Sequence, residues 1–255
     1  MKATVFGIDG KKTKEIELPK VFEEQVREDL IRRAVLSEQS KNYQPKGNYK
    51  WAGLETSAKY RGRKDSYGSL KNKGQAMLPR EIRPDGRWGD VKKVPFSKGG
   101  RRAHPPKPEK VIIEKINKKE YQKALRSALA ATANLEVVKN RGHKTETVPI
   151  ILDNSFNTIN KTKDVNKALA TIFKEDLKRG KNSKKRTTRK GGKRSPKTAL
   201  IVVIDKSQLL KSAKNISGID VVSTKKLTVE LLAPGSDMGR LTCYTEDALK
   251  ELEKM

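Results

Sequence analysis

A three-layer α/β domain, with a mostly parallel sheet and helices on both faces, is the fold that this 255-residue sequence predicts. Three features predict it. Short β-branched apolar runs alternate with segments of helical periodicity, as strands joined by helical crossovers do. One run, 199–204 (ALIVVI), is almost uninterrupted apolar sequence, which a strand covered on both faces requires. Two strongly basic stretches then break the alternation: a long irregular loop at 41–107 and a second excursion at 178–197. Residues 1–40 and 108–255 are therefore expected to form the globular α/β domain, with 41–107 inserted in it as an extended loop and 178–197 as a basic excursion.

At the N-terminus, 2–8 (KATVFGI) and 14–18 (KEIEL) alternate as short strands around Asp9-Gly10, a dipeptide suited to a tight hairpin turn. In 27–40 the apolar residues Leu30, Ile31, Ala34 and Val35 recur at helical spacing while Arg32 and Arg33 point elsewhere. After the long loop, 110–116 (KVIIEKI) enters a helix for which Asn117 is the expected N-cap and Glu120 the reciprocal capping-box residue. Its stripe of Tyr121, Ala124, Leu125, Ala128 and Leu129 faces one side, and the alanines permit close packing on a sheet. Residues 147–152 (TVPIIL) read as a buried strand ending at Asp153-Asn154, and 164–173 as a helix. Past the second basic run, 199–204 is a strand, 207–214 a short helix, 220–223 and 241–244 two more strands, and 246–254 the closing helix. There is no internal repeat.

The formal charge is +28 and the isoelectric point about 10.1. Residues 41–107 hold 18 Lys and Arg against 5 Asp and Glu, a surplus of 13, and 178–197 hold 11 basic residues and no acid. Removing both from the total leaves +4, the balance of an ordinary globular body. Such a charge points to nucleic acid or an anionic surface. A membrane partner fits poorly, because no apolar run approaches the roughly 20 residues of a spanning helix and MKATVFGIDGKK lacks a signal-peptide core. A cytoplasmic protein is expected. The single cysteine, Cys243, excludes an intrachain disulfide and a multi-cysteine zinc site, and its LTCYT setting reads as a strand with a buried, inert thiol.

Enzymatic chemistry finds few candidates. Neither G-x-G-x-x-G nor G-x-x-x-x-G-K-[ST] follows a predicted strand. Gly99-Gly100-Arg101 and Gly191-Gly192-Lys193 lie in the excursions, where glycine beside a cation lets backbone approach nucleic-acid phosphates. His104 and His143 are the only histidines, too few for a histidine-rich metal or phosphoryl site. His104 is expected to contact phosphate or stack on a base, and His143 to sit at a helix end or in a loop. Asp153 and Asp205 each follow a strand but lack a partner base or nucleophile nearby, so they read as caps or turn starts. No catalytic residue, metal or cofactor is expected.

The basic residues say more. Loops as long as 41–107 usually carry function or are disordered, and here Trp51, Tyr60, Tyr67 and Trp88 are interleaved with arginine and lysine. So large a surplus opposes folding of the segment on itself, and order is expected to come from a polyanion. Structured RNA offers phosphates, 2′-hydroxyls and unstacked bases, which arginine forks and aromatic faces engage together. For 178–197 a solvated, disordered tail is nearly as good a reading.

Three pieces carry a closer resemblance: QPKGNYKWAGLETSAKYRGRK at 44–64, PFSKGGRRAHPPK at 95–107 and KALRSALAATA at 123–133. With VELLAPGSDMGRLTCYT at 229–245, they closely resemble the archaeal and eukaryotic branch of the universal large-subunit ribosomal protein number four. The resemblance spans essentially the whole chain. It implies a globular α/β domain on the outer face of the large ribosomal subunit, with the loop threaded through large-subunit ribosomal RNA among other large-subunit proteins. It also implies a loop tip that meets the nascent peptide in the exit tunnel, at Tyr60, Arg61, Gly62, Arg63 and Lys64. The family's Trp-Gly pair near that tip is Tyr60-Arg61-Gly62 here.

Joined to the basic-aromatic pattern, the resemblance marks as RNA-binding Trp51, Arg61, Arg63, Lys64, Arg80, Arg83, Arg87, Trp88, Lys98, Arg101, Arg102 and His104 in the loop. In the second excursion it marks Lys185, Arg186, Arg189, Lys193 and Arg194. The implied role is a structural constituent of the cytoplasmic ribosome, with no enzyme activity, no cofactor, no membrane partner and no homo-oligomer. The short segment after Met238-Gly239-Arg240 suggests an archaeal source. Two alternatives stay open at this point: an RNA-modifying enzyme on a nucleotide-binding fold, and a free RNA chaperone or regulator of its own message.

Overall fold

The computed structural model describes residues 1–182, 185–186, 193–194 and 197–254, with the backbone alone at 182, 185–186 and 193–194. The chain separates into two compact units, Met1–Asn42 with Ile113–Met255, and Tyr43–Ile112. In chain order, β1 (Lys2–Phe6) and β2 (Lys12–Glu17) precede α1 (Glu28–Ser40), and β3 (Arg80–Ile82) and β4 (Trp88–Val91) belong to the second unit. Then come α2 (Lys118–Ala133), α3 (Leu135–Asn140), β5 (Ile150–Leu152), α4 (Thr162–Ile172) and α5 (Lys174–Asn182). The two-residue strands β6 (Lys185–Arg186) and β7 (Lys193–Arg194) pair antiparallel. The chain closes with β8 (Leu200–Val203), α6 (Leu209–Ser212), β9 (Asp220–Ser223), α7 (Val229–Leu232), β10 (Thr242–Thr245) and α8 (Glu246–Leu252).

Six strands of the first unit form one sheet in the order β2-β1-β5-β10-β8-β9. Every neighbouring pair is parallel except β1 with β2, whose hairpin turns at Asp9-Gly10 with Gly10 at φ +73°. Successive side chains of a strand alternate between faces, and β8 shows the result. Leu200 and Val202 enter one apolar cluster with α1, α2, α7 and α8, while Ile201 and Val203 enter the other with α3, α4, α5 and α6. All four are fully buried, which is why the run has no polar position. The expected three layers are present, and both clusters are built from the first unit.

Some local expectations need correction. Asn117 holds the N-cap position of α2, but its side chain makes no cap hydrogen bond, and Glu120 reaches Arg33 at 3.3 Å rather than back to the cap. The short helices α3 and α7 and the charge-dense α5 were not anticipated; α5 occupies the start of the 178–197 run. His143 does follow a helix end, since its N–H donates to Val138 O after α3. It is also buried against Asp176 of α5, with Nδ1 2.9 Å from Oδ1. Cys243 is wholly buried in β10, and burial pushes its thiol pKa up, so the sulfur stays protonated.

Candidate nucleic-acid interface

Positions 43–112 build their own structure from backbone closures rather than an apolar core. The outgoing limb turns at 49–54, where Ala52 N donates to Tyr49 O at 3.1 Å and Leu54 N to Trp51 O at 2.8 Å. The returning limb turns at 94–100, where Ser97 N and Oγ both reach Val94 O and Gly100 N donates to Ser97 O. Glycines let the limbs touch. A Cβ on Gly47 would stand 2.6 Å from Pro108 Cγ, and one on Gly53 would stand 2.6 Å from the Gly100 carbonyl carbon. Gly53 also sits at φ +76°, a backbone region that favours glycine.

Beyond the limbs, Lys59 N donates to Arg80 O at 3.2 Å, a single bridge onto the β3–β4 hairpin. That hairpin turns through Pro84-Asp85-Gly86, with Arg83 N donating to Arg87 O at 3.0 Å and Asp85 Oδ1 accepting from Arg87 N at 3.0 Å. The segment was expected to be irregular and unable to fold on itself. It is largely irregular, but these closures join mainly backbone to backbone, need no apolar core and are not opposed by the surplus of cations on long exposed side chains.

The aromatics divide sharply between the units. Phe6, Phe22, Phe156, Phe173 and Tyr244 of the first unit are buried and Tyr121 is half-buried, whereas Tyr43, Tyr49, Trp51, Tyr60, Tyr67 and Phe96 of the second are exposed. Trp51 is 53% exposed with Lys50 Nζ 6.0 Å from its ring centre. Arg63, Lys64, Arg83, Arg87, Lys98, Arg101, Arg102 and His104 are all exposed. Three sequence-selected residues are instead engaged within the unit. Arg61 is half-buried and donates from Nη1 to Tyr67 O at 3.0 Å. Trp88 is half-buried against Gly68, and Arg80 bridges to Lys59 through its carbonyl while its Nε is buried with no hydrogen-bond partner among the described residues. At the expected tip, Tyr60 folds over Gly62, where a Cβ would meet its hydroxyl at 2.7 Å.

In the second excursion, Lys185, Arg186, Lys193 and Arg194 lie on the paired strands β6 and β7, while Arg189 and the Gly191-Gly192 pair fall outside the described residues. The carboxylates considered for chemistry have ordinary structural partners. Asp153 accepts from Ser155 Oγ at 2.5 Å as a 3-10 turn begins, which holds its carboxyl below the usual range. Asp205 pairs with Lys225 at 3.1 Å. Among the described residues no group of three or more His, Cys, Asp or Glu side chains is placed to hold a metal ion, and no helix is long and apolar enough to cross a membrane.

An α/β body carrying a charged, aromatic-rich segment whose planar side chains face solvent defines a class: proteins that bind a polyanion with bases to stack, namely RNA. The particular family follows from comparison. The model of the ribosomal protein L4/L1 family matches residues 16–255, and the chain belongs to that family. It is similar to the large ribosomal subunit protein uL4 of Methanocaldococcus jannaschii, 45% identical over 262 residues that cover 100% of this chain and 99% of the relative. Those of Methanoculleus marisnigri and Methanococcus aeolicus are 40% and 43% identical, again over 100% of this chain and 99% of theirs. The family is structural and not enzymatic, the relatives are archaeal, and nothing favours the RNA-modifying alternative.

Proposed function

We propose that the chain is a structural constituent of the large ribosomal subunit that binds large-subunit ribosomal RNA and supports its folding and assembly beside other large-subunit proteins in the cytoplasm. In this reading residues 41–107 are embedded in RNA, 178–197 adds a second basic contact, and the α/β domain of 1–40 and 108–255 anchors both. The tip at Tyr60 to Lys64 meets the nascent-peptide exit tunnel. One observation carries the reading: the exposed aromatics and the charge surplus coincide in the same irregular segment. Exposed rings and a surplus of cations in one segment are what phosphates and unstacked bases together require.

Binding to phosphates releases counterions, so affinity must fall with salt. If about six phosphates are neutralised, the full chain should lose about a thousand-fold in affinity for large-subunit ribosomal RNA between roughly 50 and 200 mM salt. Incorporated protein should cosediment with large subunits. Salt-independent binding, or absence from sedimented subunits, would overturn the proposal.

A further inference from the structure

Residues 61–70 form a closed loop held by short-range bonds. Leu70 N donates to Arg61 O at 2.9 Å, Ser66 N to Arg63 O at 3.2 Å and Ser69 N to Ser66 O at 3.1 Å, with Ser69 and Leu70 buried beneath. The Arg61 guanidinium adds a fourth tie, donating to the carbonyl of Tyr67 at 3.0 Å. Gly68, at φ +71°, is the point of convergence: a Cβ there would stand 3.2 Å from both Arg61 Nη1 and Trp88 Cζ2. An arginine and an indole therefore pack on one glycine and fix the backbone beside it.

What this frame displays is Tyr67, 85% exposed, more than any other aromatic of the described chain. Its hydroxyl lies 3.6 Å from where a Cβ of Gly86 would stand, so the side chain reaches toward the β3–β4 turn, on which Arg83 and Arg87 are both exposed. A ring so largely wetted gains favourable free energy when another flat apolar surface covers it. A ring whose backbone is already fixed loses little conformational freedom when that happens.

We propose that Tyr67 is a stacking platform for an unpaired nucleobase, positioned by Arg61, with Arg83 and Arg87 on the flanking phosphates. This rests on the RNA-binding reading above and adds a ligand class, single-stranded rather than duplex RNA, because bases within a duplex already cover one another. It also makes Arg61 a positioning residue rather than a direct RNA contact.

The test uses the full chain and two probes, a 12-nucleotide oligoadenylate and a blunt RNA duplex of equal length, titrated across a salt series. Tyr67→Ala should weaken oligoadenylate binding by about ten-fold, the scale of one base–aromatic stack, leave duplex binding unchanged and keep the salt slope. Tyr67→Trp should restore affinity. Arg61→Met should lower oligoadenylate affinity with the salt slope unchanged, whereas loss of a phosphate contact would reduce the slope by about one. Equal loss on both probes, no loss with Tyr67→Ala, or a reduced slope with Arg61→Met overturns the assignment while leaving the RNA-binding reading in place. Failure of the wild-type chain to bind either probe or ribosomal RNA overturns both.

Discussion

A buried arginine is tolerable only if its charge and its donors meet partners, and Arg240, at 0% exposure, meets one carboxylate and three backbone carbonyls. Its guanidinium lies 2.8 Å from Asp220 Oδ2 and donates to the carbonyls of Thr198, Ala199 and Leu231. Burial lowers its pKa, and the Asp220 carboxylate opposes that shift. These partners sit where the chain returns from the second basic run into β8, where β9 begins, and on α7. Lys197 reaches the same Asp220 carboxylate at 3.4 Å. Arg240→Met leaves three backbone carbonyls without their donor and the half-buried Asp220 carboxylate without its guanidinium partner, and should lower unfolding free energy by about 1–3 kcal/mol, whereas Arg240→Met with Asp220→Asn should recover part of that loss. Urea midpoints for the two variants check the order. Nothing in the sequence marks Arg240 as buried, because MGRLT reads equally well as a surface turn beside a strand.

Between elements, Glu38 of α1 has a comparable role. Its Oε2 accepts from Glu230 N at 2.7 Å, and its Oε1 accepts from Val229 N at 3.1 Å and from the Tyr121 hydroxyl of α2 at 2.5 Å. One carboxylate thus caps α7 and ties it to two longer helices. Burial, with the nearby carboxylate, raises the Tyr121 hydroxyl pKa, so it remains a donor at all ordinary pH. Glu38→Ala leaves two backbone N–H groups and a hydroxyl without their acceptor and should cost about 1–3 kcal/mol, read as a lower denaturant midpoint with an unchanged slope. This contact also explains which elements were legible. β8 and β5 announce themselves because strands buried on both faces admit only apolar residues, and α1 and α2 show a full apolar stripe. A four-residue helix such as α7 carries no period at all; it exists because Glu38, 191 positions earlier, caps it. In α5 Leu177 is the apolar residue buried, so the surrounding charge hides the helix within the basic run. The β3–β4 hairpin did leave a signal, Pro84-Asp85-Gly86 between REI and RWGDV, obscured by the charge around it.

For the whole molecule, both apolar clusters lie in the first unit, so the α/β body keeps its core when the basic segment is removed. A chain with 51–88 replaced by a short glycine-serine linker should unfold in a single cooperative transition near the wild-type midpoint, yet fail to enter large subunits; normal incorporation would refute the RNA-embedded reading. The fold class was legible from periodicity, and charge marked the segment proposed as the interface, while the roles proposed for Arg61 and Tyr67 needed the backbone that brings them to Gly68. The closures of the basic segment also differ in the length of chain they must bridge. The turns Arg61 to Leu70 and Arg83 to Arg87 join near neighbours; Lys59 to Arg80 spans further, Gly53 to Gly100 further still, and Gly47 to Pro108 the furthest. Arg61 to Leu70 lies inside Lys59 to Arg80, both of these and Arg83 to Arg87 lie inside Gly53 to Gly100, and all lie inside Gly47 to Pro108, so each inner closure shortens the free chain that an outer one must close. The segment should therefore zip from its far end inward, with the loop that displays Tyr67 formed while the limbs leading to it are still apart.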